Sequence, residues 1–209
     1  MEPKKTDVIG GFNRFLTEQQ AQPGECRLTL VKFNTARTVV HSALPITSVQ
    51  PFTDKTYVPG GMTALLDAVA EAVRLADKDK RDGERVLCLV VTDGEENSSR
   101  ETSREQAHQL ITEREGRGAW TFTYLGIAPD QWHEQGLTIS RANAAAYDPN
   151  DPARSIAQMS AGVTAYRASV ARQSASFYQP PGAPPPQEHN PKHDPKGNPW
   201  AKPHQAKRP

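Results

Sequence analysis

The sequence predicts an α/β fold of the Rossmann-like type, an open doubly wound sheet with helices on both faces. Segments with helical periodicity alternate with short β-rich runs, in the order helix, hairpin, helix, strand, helix, strand, helix. This alternation is typical of a mostly parallel sheet whose strands are connected by helices. The most apolar run, residues 86–91, is short and bounded by turn residues, which indicates a strand buried on both faces of such a sheet.

The first half of the chain contains two predicted helices and a hairpin. Residues 7–20 carry apolar side chains at helical spacing, and a proline–glycine pair at 23–24 ends that helix. Residues 28–33 and 37–40 are rich in β-forming side chains and are joined by a short turn, so they predict a β-hairpin. A second helix is predicted from residue 63, with apolar residues at helical spacing up to Leu75, and it stops near residues 78–83, where charged residues dominate.

The second half continues the alternation. The strand at 86–91 ends in Thr-Asp-Gly, and a polar helix is predicted over residues 102–115. Residues 120–126 predict another strand, residues 142–147 one further short strand, and residues 152–176 a last helix. The predicted domain spans residues 1–177.

Residues 178–209 differ in composition from the rest of the chain. They contain many prolines, and Trp200 is the last large apolar residue. A segment of this kind buries too little apolar surface to offset the entropy of ordering it, so a Pro-rich disordered tail is predicted.

Composition argues against several classes of partner and location. The 25 Lys and Arg residues nearly balance the 24 Asp and Glu residues, which predicts no strong attraction to nucleic acid or to an anionic membrane. The first residues have no apolar core typical of a signal peptide, and no apolar run approaches the roughly 18 residues that span a bilayer. We therefore expect a cytoplasmic protein.

The sequence also contains no motif that indicates an enzyme. We find no G-x-G-x-x-G after a strand, no phosphate-binding loop that ends in Gly-Lys-Ser/Thr, and no G-x-S-x-G nucleophile elbow. Its His and Cys residues do not have the spacing of a zinc site. A non-enzymatic protein is expected.

Two loops contain candidate metal ligands. A glycine loop at residues 59–62 leads through Thr63 into the second helix, and Asp93 follows the apolar strand. In open α/β sheets, ligands bind beyond the carboxyl ends of the strands, and hydroxyl and carboxylate oxygens suit a hard cation such as Mg²⁺. A simpler interpretation exists for each residue, because Thr63 also suits the N-cap of its helix and Asp93-Gly94 also suits an ordinary turn.

Taken together, the two loops resemble the von Willebrand factor A (vWA) domain family, in particular small bacterial and phage stand-alone members. Gly-Gly-Met-Thr at residues 60–63 and Val-Thr-Asp-Gly at residues 91–94 match two of the three loops of the family's metal-ion-dependent adhesion site. The order of elements over residues 1–175 agrees as well. The resemblance implies that Thr63 and Asp93 are ligands of Mg²⁺ or another divalent cation. It also implies that the open position of the cation takes a carboxylate from a partner protein.

The family's first strand and its Asp-x-Ser-x-Ser motif do not precede the first helix in this sequence. The chain matches the continuation of that motif if Met1 is its methionine, so we hypothesise that translation begins upstream. The in-frame codons before Met1 test this, and a stop codon or an unrelated sequence there would contradict it. The missing strand is central in the family, so two unpaired strand edges that face a gap are predicted. With only one hydroxyl and one carboxylate, Mg²⁺ binding is expected to be weak or absent.

These observations favour a non-enzymatic protein-binding module of the vWA type, with a cation-dependent adhesion site that is incomplete in this chain and an unidentified protein partner. One alternative is a fragment, or a product of a wrongly assigned start, that binds neither metal nor partner. Another is an enzyme on a Rossmann-like scaffold, which a fold of this type permits but does not itself indicate.

Overall fold

The computed structural model describes residues 2–126 and 139–178, with side chains from Lys5 onward. Within these ranges the chain alternates between helices and strands, as the sequence predicts. In chain order they are α1 Glu2–Gln20, β1 Arg27–Phe33, β2 Arg37–Pro45, α2 Leu65–Asp79, β3 Val86–Thr92, α3 Arg104–Gly116, β4 Trp120–Gly126, β5 Ala144–Ala146 and α4 Pro152–Ala168.

The strands form two separate sheets. β1 and β2 make an antiparallel hairpin, and β3, β4 and β5 make a parallel sheet with β4 in the centre. β1 and β3 are not hydrogen-bonded to each other. The fold is therefore mixed α/β with a three-stranded parallel sheet, and the described strands do not join into the single open sheet that the sequence predicts.

Helices cover both faces of the parallel sheet. On one face, α2 and α3 pack against the aromatic side chains of β4, with Ile111 and Phe122 completely buried. On the opposite face, α1 and α4 pack through Phe15 and Met159 against Leu125. Side chains alternate between the faces of a strand, so β4 supplies both cores.

β4, rather than β3, is the strand that is buried throughout. Every residue of β4 is buried, whereas residues 86–89 of β3 are only half-buried and Val91 is 36% exposed. The prediction that residues 86–91 are buried on both faces is therefore wrong. The physical reason is that β4 has a strand at each edge, whereas β3 is paired along only one edge with the strands that the structure describes.

The ends of some elements differ from the prediction. α4 ends at Ala168 because Ser169 adopts an extended backbone, and Val170 is fully exposed instead of continuing the apolar face of the helix. The chain then folds back, and Phe177 is buried against Gly162 of α4. Of the predicted tail, Tyr178 alone lies within the described residues, and residues 179–209 lie outside them. No helix in the described ranges is long and apolar enough to cross a membrane.

Candidate cation-binding site

The structure brings the two predicted loops into direct contact. The backbone N–H of Thr63 donates a hydrogen bond to the side-chain oxygen of Asn97 at 2.8 Å. In return, the backbone N–H groups of Asn97 and Ser98 donate to the carbonyl oxygen of Thr63 at 3.0 and 3.2 Å. Asp93 immediately follows β3, so the glycine loop and the loop after β3 meet at the carboxyl end of the parallel sheet.

Thr63 is not the N-cap of α2. The helix begins at Leu65, and its N-cap position is occupied by Ala64, which has no side chain able to cap. The hydroxyl of Thr63 instead lies against Gly94, where a Cβ atom would come within 2.5 Å of its oxygen. Within the described residues this hydroxyl makes no hydrogen bond, so its oxygen is free to bind a ligand.

Two of the three glycines in the matching motifs, Gly61 and Gly94, have a steric explanation. Gly94 allows the loop after β3 to approach the Thr63 hydroxyl, because any larger residue would collide with it. Gly61 has a φ of +86°, which side chains rarely adopt, and a Cβ atom there would also crowd Thr35. The Thr35 hydroxyl accepts a hydrogen bond from the backbone N–H of Met62, which fixes the glycine loop against the turn of the hairpin.

Glu96 connects the loop after β3 to the start of α2. Its carboxylate accepts hydrogen bonds from the backbone N–H of Leu66 at 3.0 Å and from the backbone N–H groups of Ser98 and Ser99 at 3.0 and 2.8 Å. The Ser99 hydroxyl donates a further bond to it at 2.7 Å. Burial alone would raise the pKa of Glu96, but these bonds lower it below its ordinary value. Glu96 thus supplies from another loop the helix cap that Ala64 cannot provide.

Asp67 is buried in the first turn of α2 and fixes the following part of the same loop. Its carboxylate accepts hydrogen bonds from the backbone N–H groups of residues 100–102 at 2.7–3.1 Å. It also forms an ion pair with Arg37 of β2 at 3.0 Å. Burial opposes ionisation of this carboxyl group, but the backbone hydrogen bonds outweigh burial and lower its pKa. Asp67 therefore joins the hairpin, α2 and the loop.

Asp93 differs from these two carboxylates because it is exposed and forms no hydrogen bond or ion pair with the described residues. Its charge acts on two tyrosines. Burial and then Asp93 raise the pKa of Tyr57. Burial raises the pKa of Tyr147 to about 12, with further contributions from Asp93, Tyr57 and Asp7 of α1. The charge of Asp93 is thus close enough to Tyr57 and Tyr147 to disfavour ionisation of both.

The available oxygen atoms fit a weak site for a hard cation. The Thr63 hydroxyl and the Asp93 carboxylate are unpaired, and the Ser98 hydroxyl is buried with no hydrogen-bond partner in the described part of the chain. Mg²⁺ prefers six oxygen ligands. The described residues contain no cluster of three or more His, Cys, Asp or Glu side chains that could hold a metal ion. Such a cation would therefore keep several waters or take oxygen atoms from elsewhere.

Three of the five large apolar residues that are exposed in the described ranges are close in sequence to these loops, and the other two are Val39 and Val170. Of the large apolar residues that are exposed in the described ranges, Val58 and Met62 belong to the loop that precedes α2, and Val91 lies two residues before Asp93. Isolated apolar residues on a surface need no explanation, but several beside one polar site indicate a contact surface.

Sequence reasoning identified Thr63 and Asp93 but missed the residues that position them. Asp67 is 33 to 35 residues from the backbone groups that it binds, and Glu96 is 30 residues from Leu66, so no local pattern indicates these partners. The capping box of α3, formed by Ser103 and Gln106, is by contrast a local pattern that places the end of the loop.

The lowered pKa values of Asp67 and Glu96 make the stability of the protein depend on pH. Because folding lowers the pKa of Asp67 and of Glu96, the native state binds fewer protons and is stabilised above their unfolded pKa values of about 4. We expect the free energy of unfolding, measured by urea denaturation, to fall from about pH 5 downward as these groups become protonated in the folded state. A free energy that is the same at neutral and acidic pH would contradict this role.

Comparison with known proteins finds no matching family model, curated protein or solved structure, so the interpretation of this site depends on its own geometry.

Proposed function

We propose that the protein is a non-enzymatic protein-binding module of the vWA type, with a divalent-cation-dependent adhesion site at Thr63 and Asp93. The observation that supports this best is the hydrogen-bonded approach of the two loops at the carboxyl end of β3. Neither predicted ligand side chain has a partner among the described residues, whereas the neighbouring Asp67 and Glu96 carboxylates accept several hydrogen bonds from backbone N–H groups.

The two sheets fit the same proposal. In a doubly wound sheet of the vWA type, β1–β2 and β3–β4–β5 are two parts of one sheet, separated at the position of the family's first strand. Helices cover both faces of the parallel part, as that architecture requires. In the family, the third loop of the site follows that first strand and supplies further ligands. The gap between the two sheets therefore also accounts for the small number of ligands.

A partner would bind with a carboxylate on the cation and with apolar atoms around it. A bound divalent cation offers an open coordination position to a carboxylate oxygen. Val58, Met62 and Val91 offer apolar contact area nearby, and burying it would contribute about 25 cal/mol per Å². The predicted partner surface is therefore an Asp or Glu residue with apolar neighbours.

The cation site is tested by NMR titration of the full chain with Mg²⁺, and with Mn²⁺ as a paramagnetic probe. We expect a dissociation constant of about 1 mM or weaker, because two protein ligands leave most of the coordination sphere to water. Line broadening by Mn²⁺ should centre on residues 61–63 and 92–94. Asp93→Ala should abolish it, and Thr63→Val should weaken it several-fold.

Glu95→Ala is the matched control, because Glu95 is an exposed carboxylate in the same loop. Removal of the Glu95 carboxylate should leave the Mn²⁺ line broadening centred on residues 61–63 and 92–94. Broadening that is insensitive to Asp93→Ala would exclude the proposed site. Micromolar affinity of the wild-type chain would show that more ligands contribute than these two.

Partner binding is tested by affinity capture with and without EDTA, using the wild-type chain and Asp93→Ala. A partner that EDTA and Asp93→Ala both release supports an adhesion site. A partner retained under both conditions would show that binding is independent of the cation. Specific cation binding with no captured partner would favour the alternative of a chain without adhesive function.

A further inference from the structure

A cleft of about 300 Å³ lies at the end of the parallel sheet where the strands begin, opposite the end that holds Thr63 and Asp93. Ala119 and Trp120, at the start of β4, are buried and form the base of this cleft. Its walls are charged side chains, which are Asp77, Lys80, Arg117 and Arg172. Ligand sites commonly have volumes of about 300–1,000 Å³, so the cleft suits a small molecule.

Three of the four charged side chains are cations, and the one carboxylate is already paired. Arg114 of α3 donates to the Asp77 carboxylate through Nε and Nη2, at 3.2 and 2.8 Å. Arg117 lies farther from the same carboxylate, with 3.8 Å between Nη1 and Oδ1. Glu113, the other acidic partner of Arg114, does not line the cleft. Because Arg114 balances Asp77, the three cations of the cleft give it an excess of positive charge.

Most N–H groups of these cations have no acceptor among the described residues. The Arg117 guanidinium makes no hydrogen bond to them, and Arg172 donates only through Nε, to the carbonyl of Gly118 at 3.4 Å. The Lys80 ammonium reaches the carbonyl of Arg81 at 3.5 Å, the longest distance of a hydrogen bond. An oxyanion in the cleft would therefore meet several hydrogen-bond donors that are not already used within the described part of the chain.

The origin of Arg172 distinguishes this cleft from two ordinary helix ends. Lys80 and Arg117 directly follow α2 and α3, where basic residues are favoured because they oppose the negative end of the helix dipole. Arg172 belongs to the segment after α4 instead. Arg85 holds this segment by hydrogen bonds to two of its carbonyl groups, and Gln173 binds it to the carbonyl of the first residue of β4 at 2.9 Å. The fold thus brings a third cation to the cleft from a distant part of the sequence.

The number and the type of these cations fit a phosphate group. A guanidinium can donate two parallel hydrogen bonds to an oxyanion, and a lysine binds phosphate as a point charge. A phosphate ester carries a charge of about −1.5 to −2 and three acceptor oxygens, so each cation can bind one oxygen. A carboxylate has a single charge and two oxygens and would leave one cation without a partner.

We propose that this cleft binds the phosphate group of a small molecule, either a phosphate monoester or free phosphate. Lys80, Arg117 and Arg172 hold the phosphate oxygens, and the base of the cleft at Ala119 and Trp120 contacts the atoms attached to them. The cleft and the cation site lie at opposite ends of the sheet. Phosphate binding therefore goes beyond the proposed adhesive function and requires no divalent cation.

The test is a two-dimensional NMR titration of the full chain in EDTA, at neutral pH and constant ionic strength, with inorganic phosphate, glycerol phosphate and acetate. We expect saturable shifts of the amide signals of residues 117–120 and 172 and of the Nε–Hε signal of Arg172. Both phosphates should bind about ten-fold more tightly than acetate. Tighter binding of glycerol phosphate than of inorganic phosphate would identify the ligand as an ester, and the reverse order would identify free phosphate.

Two substitutions should weaken phosphate binding and one should strengthen it. Arg117→Gln and Arg172→Gln should each weaken it about five-fold, because each removes a bidentate donor. Asp77→Asn should strengthen it about two- to three-fold, since it removes a carboxylate that repels phosphate and attracts Arg117. Destabilisation of the fold cannot produce a gain in affinity, so Asp77→Asn tests the cleft even if the arginine variants unfold.

Arg81→Gln is the matched control. It removes the same charge from an exposed residue next to Lys80 that does not line the cleft, so the affinity should stay within about two-fold of the wild type.

Other outcomes would overturn the proposal. Equal affinities for phosphate and acetate, or affinities that neither arginine variant changes, would show an adventitious ion only. A single-stranded oligonucleotide that binds more tightly than glycerol phosphate, with shifts that extend outside the cleft, would show a nucleic-acid surface instead. Failure of this experiment leaves the Mn²⁺ experiment unaffected, and the converse also holds.

Discussion

Replacing Asp67 by alanine is expected to lower the free energy of unfolding by about 3–5 kcal/mol, because it breaks a buried ion pair and leaves its partner and several backbone donors without an acceptor. The Asp67 side chain is 4% exposed, so water cannot replace the lost carboxylate. Its three backbone bonds hold residues 100–102, and its ion pair holds Arg37 at the start of β2. The measurement is urea denaturation at neutral pH, followed by circular dichroism.

Glu101→Ala is the control for this prediction. Glu101 binds the same guanidinium of Arg37 at 2.7 Å, but its side chain is 71% exposed. Exposed ion pairs contribute about 0–1 kcal/mol, so this variant should remain close to the wild-type stability. Asp67→Asn keeps the volume of the side chain but turns an amide N–H₂ group toward donors, and we expect most of the loss to persist. A loss below about 1 kcal/mol for Asp67→Ala would show that the loop is held by other contacts.

Periodicity predicted most elements of the fold because it reports which side chains face the core. Residues 120–126 were predicted as a strand, and β4 has those bounds, since alternating aromatic and threonine side chains point to two different cores. The hairpin followed in the same way from two β-rich runs around a short turn. The contact between the two site loops was also predictable, because the family pattern places them together and the structure has them hydrogen-bonded. Their role as metal ligands stays a prediction.

Burial of individual strands was harder to predict, since it depends on neighbours that are distant in sequence. β3 has the most apolar run of the chain, but its unpaired edge leaves Val91 exposed. The end of α4 was missed for a local reason. Val170 continues the helical spacing of apolar residues in the sequence, but Ser169 adopts an extended backbone. The backbone N–H groups of Ser174 and Phe177 then bond to the Thr121 and Asn143 side chains.

Asp67 and Glu96 illustrate why a site is less predictable than a fold. An acidic residue in the first turn of a helix is ordinary, because it interacts favourably with the helix dipole, so nothing in the sequence marks Asp67 as buried. Glu96 directly follows Glu95, an exposed glutamate, so residue type alone does not distinguish the two. The two become distinguishable only when the loop after β3 is placed against α2, where one carboxylate faces backbone N–H groups and the other faces solvent.

The adjacent pair Glu95 and Glu96 allows a sharp test of how the site is held together. We expect Glu96→Ala to lower the free energy of unfolding by about 2–4 kcal/mol, because four hydrogen bonds to a charged acceptor are lost together and α2 loses its cap. Glu95→Ala should change it by less than about 0.5 kcal/mol, since the side chain is exposed. Equal losses for the two variants would contradict the assigned role of Glu96.

The Glu96→Ala variant should also distinguish detachment of the loop after β3 from unfolding of the whole domain. The backbone N–H groups of Asn97 and Ser98 are bonded to the Thr63 carbonyl, so their hydrogen exchange reports whether the two loops remain together. In Glu96→Ala we expect these amides to exchange faster under native conditions while those of β4 stay protected, because the loop can detach without opening the core. Mn²⁺ broadening at residues 61–63 should then decrease more than that at 92–94, since Asp93 follows β3 directly whereas Thr63 is held through the loop. Unchanged exchange at both amides would show that the Thr63–Asn97 contacts hold the loops together without the carboxylate.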